Sequence, residues 1–352
     1  MDPADSPPSN SPLHTRRLPR PACSRLDPTW HGMAIELGDG AATSTMTSAP
    51  QLIYTLSGHT KSVSCVSFSP SGALVATGSA DRTLKIWSVA TGALIHTFSS
   101  HTAGINDVSW SADSVYVATC SDDRTIKMFN VLTREVVREF GEHTSYVLCL
   151  SFNPASTLLV SGSFDETVRL WNVARNRCHR VISAHSEAVS SVDFNRDGTM
   201  IVSASYDGSI RLWDTTTGQC LKTLVHKDQA PLGGVRFMPS SAHLLCSSLD
   251  STTRLWDIFN DKVVKTYTGN TNIKLAMAAT LVTGGTAVMC ASEDGCVVVW
   301  DLQSKEVVAR WAAASANVAL IASDAHPTAK IVASAAMEPE AHVKIWIWPT
   351  TS

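Results

Sequence analysis

The sequence has little net charge, no long apolar run and no apolar N-terminal segment, and each lack excludes a class of protein. Lys and Arg number 28 against 31 Asp and Glu, so the net charge of −3 offers no bulk attraction to nucleic acid or to an anionic membrane. No apolar run reaches the roughly 18 residues that a membrane-spanning helix needs. We therefore expect no membrane partner, no direct nucleic-acid contact and, without an apolar signal-peptide core, no secretion.

The nine cysteines are an odd number, and none shows a metal-ligand spacing such as Cys-x-x-Cys. This usage predicts reduced thiols in an intracellular compartment, with no disulfide framework, metal or other cofactor. Cys65, Cys149, Cys220 and Cys290 lie among apolar residues of predicted strands. We expect each of them to behave as a small buried hydrophobe.

Residues 1–50 differ in composition from the rest of the chain, because they hold eight of the 15 prolines and many Ser, Thr and small residues. Such a segment cannot bury enough apolar surface to offset its chain entropy, so we predict a disordered tail. A loose basic cluster within it, Arg16, Arg17, Arg20 and Arg25, is either a nuclear-import or anion contact or, more simply, part of a solvated tail. Met33 and Met46 are alternative start positions.

The remainder of the chain is a repeat, and its clearest copy is SGSFDETVRLWN at residues 161–172. Seven copies follow one another with gaps of 42, 42, 42, 43, 44 and 46 residues between their aromatic positions. These positions are Trp87, Phe129, Trp171, Trp213, Trp256, Trp300 and Trp346. A period in the forties with a terminal Trp-Asp predicts an all-β fold, a seven-bladed β-propeller of WD repeats, over residues 51–352.

The two ends of the repeat region indicate how the ring closes. No complete repeat precedes residues 51–56, and the last copy lacks a fourth strand. We therefore expect this N-terminal strand to pair with the C-terminal blade, which removes exposed sheet edges. Within blade three, the pattern predicts strands at residues 146–152, 158–163, 168–171 and 178–182, with a turn at 153–156.

A polar set of His, Ser, Asp and an aromatic residue recurs at fixed offsets in the first four copies. The sets are His59, Ser79, Asp81, Trp87; His101, Ser121, Asp123, Phe129; His143, Ser163, Asp165, Trp171; and His185, Ser205, Asp207, Trp213. A hydrolytic triad would occur once, beside an oxyanion hole, so this recurrence favours a structural role and no enzyme activity. We predict that Asp accepts from the imidazole, the imidazole from the Ser hydroxyl, and that hydroxyl from the indole. The set is incomplete in the last three copies, so blades six and seven should open first.

The residues that differ between copies are candidates for binding. The turn residue between Ser and Asp should face one mouth of the central channel: Ala80, Asp122, Phe164, Tyr206, Leu249, Glu293 and Pro339. The residue five after each His should line the same mouth: Ser64, Asn106, Leu148 and Ser190. Two aromatic rings and two acids, Asp122 and Glu293, suit a cationic side chain. The alternative is that exposed turn residues vary freely.

Several segments outside the repeat consensus carry a family resemblance. They are Phe164 in SGSFDETVRLW, residues 195–198 followed by Tyr206, and residues 218–224, 265–269, 282–285 and 326–328. On these the chain resembles the WD-repeat core scaffold subunit of COMPASS-type histone H3 lysine-4 methyltransferase complexes. The resemblance implies a nuclear, non-catalytic protein, a monomer within a hetero-complex. Its implied partners are the methyltransferase subunit, other core-complex subunits and the histone H3 tail.

The resemblance also implies two binding faces. The channel mouth would take an arginine of a partner peptide, at Ala80, Gly104, Ile105, Asn106, Asp122, Leu148, Phe164, Ser190, Tyr206 and Lys274. The opposite face would dock a second core subunit between blades five and six, at Ser240, His243, Leu255, Val282 and Gln303, of which the first two depart from the family pattern. The family clamps the guanidinium between two phenylalanines, but this chain has Leu148 and no aromatic residue in 275–279, so we expect weak or replaced arginine binding.

Two further interpretations stay open at this point. One is a generic WD-repeat adaptor in ubiquitin ligation, RNA processing or signalling. The other is an enzyme in the propeller mouth, which would need an unrepeated cluster of acids and bases beyond Asp122 and Glu293. A nucleic-acid role is not favoured, because no basic stripe with interleaved aromatic residues occurs.

Overall fold

The computed structural model describes residues 50–282 and 284–347. In these ranges the secondary structure consists of 28 β-strands and contains no helix. The predicted disordered tail lies outside the described residues, apart from Pro50. Among the residues that are described, no helix is long and apolar enough to span a membrane.

The strands form seven antiparallel sheets of four strands each, arranged as the blades of a propeller. The closing strand is β1 (Gln51–Leu56). Blades one to three contain β2 (Val63–Phe68), β3 (Leu74–Ser79), β4 (Leu84–Ser88), β5 (Leu94–Phe98); β6 (Ile105–Trp110), β7 (Tyr116–Ser121), β8 (Ile126–Asn130), β9 (Glu135–Phe140); and β10 (Val147–Phe152), β11 (Leu158–Ser163), β12 (Thr167–Asn172), β13 (Arg177–Ser183). The four strands predicted for blade three lie within two residues of those observed.

Blades four to seven follow the same plan along the chain. Their strands are β14 (Val189–Phe194), β15 (Met200–Ser205), β16 (Ser209–Asp214), β17 (Cys220–Val225); β18 (Leu232–Phe237), β19 (His243–Ser248), β20 (Thr252–Asp257), β21 (Lys262–Thr268); β22 (Thr280–Leu281), β23 (Ala287–Ala291), β24 (Cys296–Asp301), β25 (Val307–Ala312); and β26 (Leu320–Ala325), β27 (Ile331–Ala336), β28 (Val343–Ile347). The innermost strand of blade six, β22, is two residues long.

The ring closes through the two ends of the repeat region. Strand β1 pairs antiparallel with β28, from Gln51 opposite Ile347 to Leu56 opposite Val343, and completes the sheet of β26 and β27. The predicted seven-bladed propeller, closed by its N-terminal strand, is therefore confirmed. Closure pairs an edge of blade seven that would otherwise expose unpaired backbone groups.

The core lies between blades, because both faces of the inner strands pack on neighbouring sheets. Leu84 and Ile86 of blade one, for example, share a cluster with Val117 and Phe129 of blade two. Three of the four cysteines predicted to be buried, at positions 65, 149 and 290, are buried. The prediction for Cys220 is wrong: it is exposed, because outermost strand β17 leaves one face to solvent.

Candidate functional site

A central cavity of about 210 Å³ is lined by the innermost strands of six blades and, in blade six, by Ala276 and Ala278, which precede β22. The residues placed five after each repeat histidine, Ser64, Asn106, Leu148 and Ser190, all line it. Their side chains repeat at one level of the channel because the innermost strands share one register. The mouth above this level is where side chains differ between blades, so it is the candidate binding site.

The blade-two side of the mouth is built around the carboxylate of Asp122. The Asn106 side-chain amide donates to Asp122 Oδ1 at 2.8 Å and to the carbonyl of Val147 at 2.9 Å. These bonds occupy one carboxylate oxygen and fix the orientation of the amide. Ile105 is buried, and its carbonyl accepts a bond from the Ser64 hydroxyl, so it supports the mouth from beneath.

Gly104 allows the turns of blades one and two to approach each other closely. A Cβ at this position would lie 3.3 Å from Ala80 Cα and 3.7 Å from Asp122 Oδ2. The structure therefore brings together Ala80 and Asp122, which were predicted from their turn positions, and Gly104, which the family resemblance implied. A side chain larger than alanine at position 104 would cover the remaining carboxylate oxygen.

The blade-three and blade-four side of the mouth is aromatic. The Phe164 ring is 54 % exposed and lies 6.3 Å from the ring of Tyr146, which is 50 % exposed. Burial raises the pKa of the Tyr206 hydroxyl above its ordinary value. Tyr146 was predicted to lie inside a strand, but it directly precedes β10 and its ring is exposed. The backbone bond from Phe164 N–H to the Tyr146 carbonyl, 2.8 Å, sets both residues on one rim.

Glu293 does not supply a free acid at the mouth, contrary to the expectation from its turn position. Its Oε1 accepts from the backbone N–H groups of Ile273, Lys274 and Leu275 at 2.7, 2.5 and 2.8 Å. These bonds and the Lys274 charge outweigh the desolvation that opposes them, and the Glu293 pKa falls below its usual value. The carboxylate therefore stabilises the loop that carries Lys274, and Asp122 is the acid that faces the mouth from blade two.

The blade-six wall of the channel is aliphatic and close to blade five. A Cβ at Gly234 would lie 2.6 Å from Ala278 Cα, and one at Gly233 would lie 3.0 Å from the Met277 nitrogen. Ala276 lines the same cavity as Leu148 and Ser190, which belong to blades three and four. Among the described lining residues, Leu148 stands at one of the two implied ring positions and alanines line the blade-six wall, so neither ring that would stack on a guanidinium is present.

The repeated polar set has a different hydroxyl from the one predicted. His59 Nδ1 donates to Asp81 at 2.9 Å, and Thr77 Oγ1 lies 2.8 Å from His59 Nε2 and 2.9 Å from Trp87 Nε1. Thr77, Thr119, Ser161 and Ser203 occupy this position in blades one to four.

The prediction that Ser79, Ser121, Ser163 and Ser205 contact the imidazole is therefore wrong. These serines lie two residues further along the same strand face, at the turn. There each hydroxyl accepts from the backbone N–H of the Asp, at 3.0 to 3.1 Å. It donates instead to a backbone carbonyl, as Ser79 does to Lys61. The Asp, His and indole positions keep the roles expected of them in blades one, three and four.

The opposite face between blades five and six exposes less apolar surface than expected. Leu255 and Val282 are 6 % and 9 % exposed and belong to one buried cluster, so they are not a docking patch. Ser240 and Gln303 are exposed and His243 is half-buried. Phe259, which the sequence analysis did not select, is 76 % exposed in the turn beside them and is the apolar group available on this face.

Two comparisons with known proteins bear on the site. A family model described as the WDR5 beta-propeller domain matches residues 55–347. Protein Mut11 of Chlamydomonas reinhardtii is 53 % identical to this chain over 53 residues. That similarity covers 15 % of this chain and 14 % of the Mut11 protein, so it extends over a small part of each.

Proposed function

The chain belongs to the WDR5 β-propeller family, and from this premise we propose that it is a non-catalytic scaffold of a COMPASS-like histone H3 lysine-4 methyltransferase complex. Propellers of this family generally act as protein-interaction scaffolds. The family match over residues 55–347 is the observation that carries the proposal. We place the protein in the nucleus, bound to the methyltransferase subunit and to other core subunits.

The geometry of the mouth supports a partner peptide as its ligand. Phe164 and Tyr146 present half-exposed rings on blade three, and Asp122 presents one carboxylate oxygen on the neighbouring blade two. A cationic side chain between them gains charge attraction and contact with a ring face. Because Leu148 and Ala276 line the channel below, an arginine inserted there has no ring on which to stack. The proposal is that the peptide is held mainly at the aromatic rim.

The second candidate function is a generic WD-repeat adaptor in ubiquitin ligation, RNA processing or signalling. The observation that favours it is the aliphatic channel lining, because Leu148 and Ala276 remove the rings expected for arginine recognition. A scaffold that no longer binds arginine is free to recruit partners of another class through the same rim.

Affinity purification of the tagged full-length chain, followed by mass spectrometry, separates these functions. Recovery of a SET-domain protein supports the methyltransferase scaffold, and recovery of cullin or splicing proteins in its place supports the adaptor. Phe164→Ala and Phe259→Ala are matched variants, since both replace an exposed turn phenylalanine on opposite faces. The first should lose the mouth-bound partner and the second the other core subunit. Loss of neither partner would contradict the assignment of the faces.

A further inference from the structure

The outer edge of blade three carries positive charge without acidic residues in its own sequence. Residues 167–186 contain four arginines and two histidines and no Asp or Glu. Three of these basic residues, Arg175, Arg177 and His179, are exposed on the turn before β13 or on β13 itself. This local excess of positive charge contrasts with the net charge of the whole chain, which is −3.

These three side chains form no ion pair with Glu142, the acid whose carboxylate reaches this edge. Arg169 is paired with Glu142 at 3.3 Å, and Arg180 donates to the Thr216 carbonyl at 3.0 Å. In the described part of the chain, Arg175, Arg177 and His179 form neither ion pairs nor side-chain hydrogen bonds. The charges of Arg175 and Arg177 therefore face solvent.

Blade five offers a direct comparison at the same register position. Lys262 begins its outermost strand opposite Asp257, so a carboxylate lies across from that cation. Arg177 begins β13 opposite Asn172, which carries no charge. The two strands have the same place and length in their blades, but the local charge is compensated in one and not in the other.

Strand β13 is also the edge of its sheet, with backbone groups that no neighbouring strand pairs. Arg177, His179 and Val181 are exposed at alternate positions and therefore share a face. A carboxylate already reaches this edge, since Cys178 N–H donates to Glu142 Oε1 at 3.4 Å. An edge strand whose exposed face carries basic and apolar side chains can recognise an extended segment by adding it as a further strand.

We propose that the outer edge of blade three binds an extended acidic peptide segment of a protein partner, paired with β13 as a fifth strand. Arg175 and Arg177 attract its carboxylates, His179 donates a ring N–H to it, and Val181, 50 % exposed, contacts an apolar residue of the segment. Nucleic acid fits this edge less well, because it would neither contact the apolar Val181 nor form a strand ladder with β13. The negative net charge of the chain also repels it. The site is remote from the mouth and does not depend on the function proposed above.

Fluorescence anisotropy of the full-length chain with a labelled peptide of alternating Glu and Val tests the proposal. Arg177→Glu should weaken binding by about tenfold, because it exchanges an attraction for a repulsion of similar size. Lys262→Glu, the matched change on blade five, should leave binding unchanged. Both positions are exposed, so thermal unfolding of each variant should match that of the wild type.

Three outcomes overturn the proposal. Equal peptide affinity for wild type and Arg177→Glu would show that this edge is not the site. Undiminished binding of a peptide with proline at alternate positions, which lacks the N–H groups that a ladder needs, would show that no strand is added. Tighter binding of a DNA duplex than of the peptide, lost in Arg177→Glu, would reassign the edge to nucleic acid.

Discussion

The hydroxyl that bonds to both the imidazole and the indole gives the sharpest prediction. Blades one and two both have this hydroxyl, but only blade one has the indole. In blade one, Thr77 contacts both His59 Nε2 and Trp87 Nε1, at 2.8 and 2.9 Å. In blade two, Thr119 contacts His101 Nε2 at 2.7 Å, and Phe129 stands where the indole would be. A threonine-to-valine change removes the same hydroxyl from both sites and keeps the side-chain shape.

The number of buried groups left unpaired sets the expected cost. Thr77→Val leaves an imidazole nitrogen and an indole N–H without partners, whereas Thr119→Val leaves only the imidazole nitrogen. Each unpaired buried group costs about 1–3 kcal/mol. The free energy of unfolding should therefore fall by about 2–6 kcal/mol for Thr77→Val and by about 1–3 kcal/mol for Thr119→Val.

Urea unfolding followed by circular dichroism measures both changes on the same protein. Ser79→Ala is the control, because the predicted but incorrect arrangement makes that serine the shared hydroxyl. Equal losses for the two valine variants would refute the shared hydrogen bond to the indole. A larger loss for Ser79→Ala than for Thr77→Val would refute the observed arrangement altogether.

Three further predictions follow from the structure. Desolvation by burial raises the pKa of Asp107 to about 6, so its stabilising contribution is present below its unfolded pKa of about 3.9 and is lost as the pH rises through 6. In urea unfolding, the free energy of unfolding of wild type minus that of Asp107→Asn should be about 1–3 kcal/mol larger at pH 4 than at pH 7. An equal difference at the two pH values would contradict this. Leu148→Phe restores a ring at the mouth and should tighten an arginine peptide about tenfold in isothermal titration, whereas unchanged affinity would place the peptide elsewhere. Hydrogen exchange should show blades six and seven opening first, since the buried Asn270 amide makes no hydrogen bond in the described structure; a best-protected blade seven would exclude this.

Periodicity was sufficient to predict the fold, because every blade repeats one spacing and closure follows from the missing strand. Periodicity could not identify the shared hydroxyl. Thr77 and Ser79 share a strand face, and both positions carry hydroxyl residues in blades one to four. Only the cross-strand register, with Trp87 opposite Val75, sets the indole nitrogen near Thr77. The choice between two residues separated by two positions therefore needed coordinates.

The sequence was sufficient to predict where the candidate site lies, but not which hydrogen bonds its side chains form. The repeat offsets placed Asn106 and Leu148 at the channel, where they lie. They could not show that Glu293 is bonded to three backbone N–H groups, because that loop lies outside the repeat pattern.

A basic residue also recurs at the repeat spacing on the outermost strands. Arg180, Lys222 and Lys265 recur at 42 and 43 residues, and each donates to a turn carbonyl of the next blade. Aligning the copies beyond their aromatic positions would have predicted these contacts between blades. The repeat period therefore contains information on the seams of the ring as well as on the blades.

The central claim is that the repeated polar sets stabilise the propeller, whereas the side chains at the rim of the mouth determine which partners bind. Quantitative affinity purification of wild type, Phe164→Ala and Thr119→Val tests it most directly. We predict that Phe164→Ala loses a SET-domain partner at unchanged thermal stability, whereas Thr119→Val lowers stability but keeps that partner. Full recovery of the partner with Phe164→Ala, or its absence from the wild-type purification, would contradict the account.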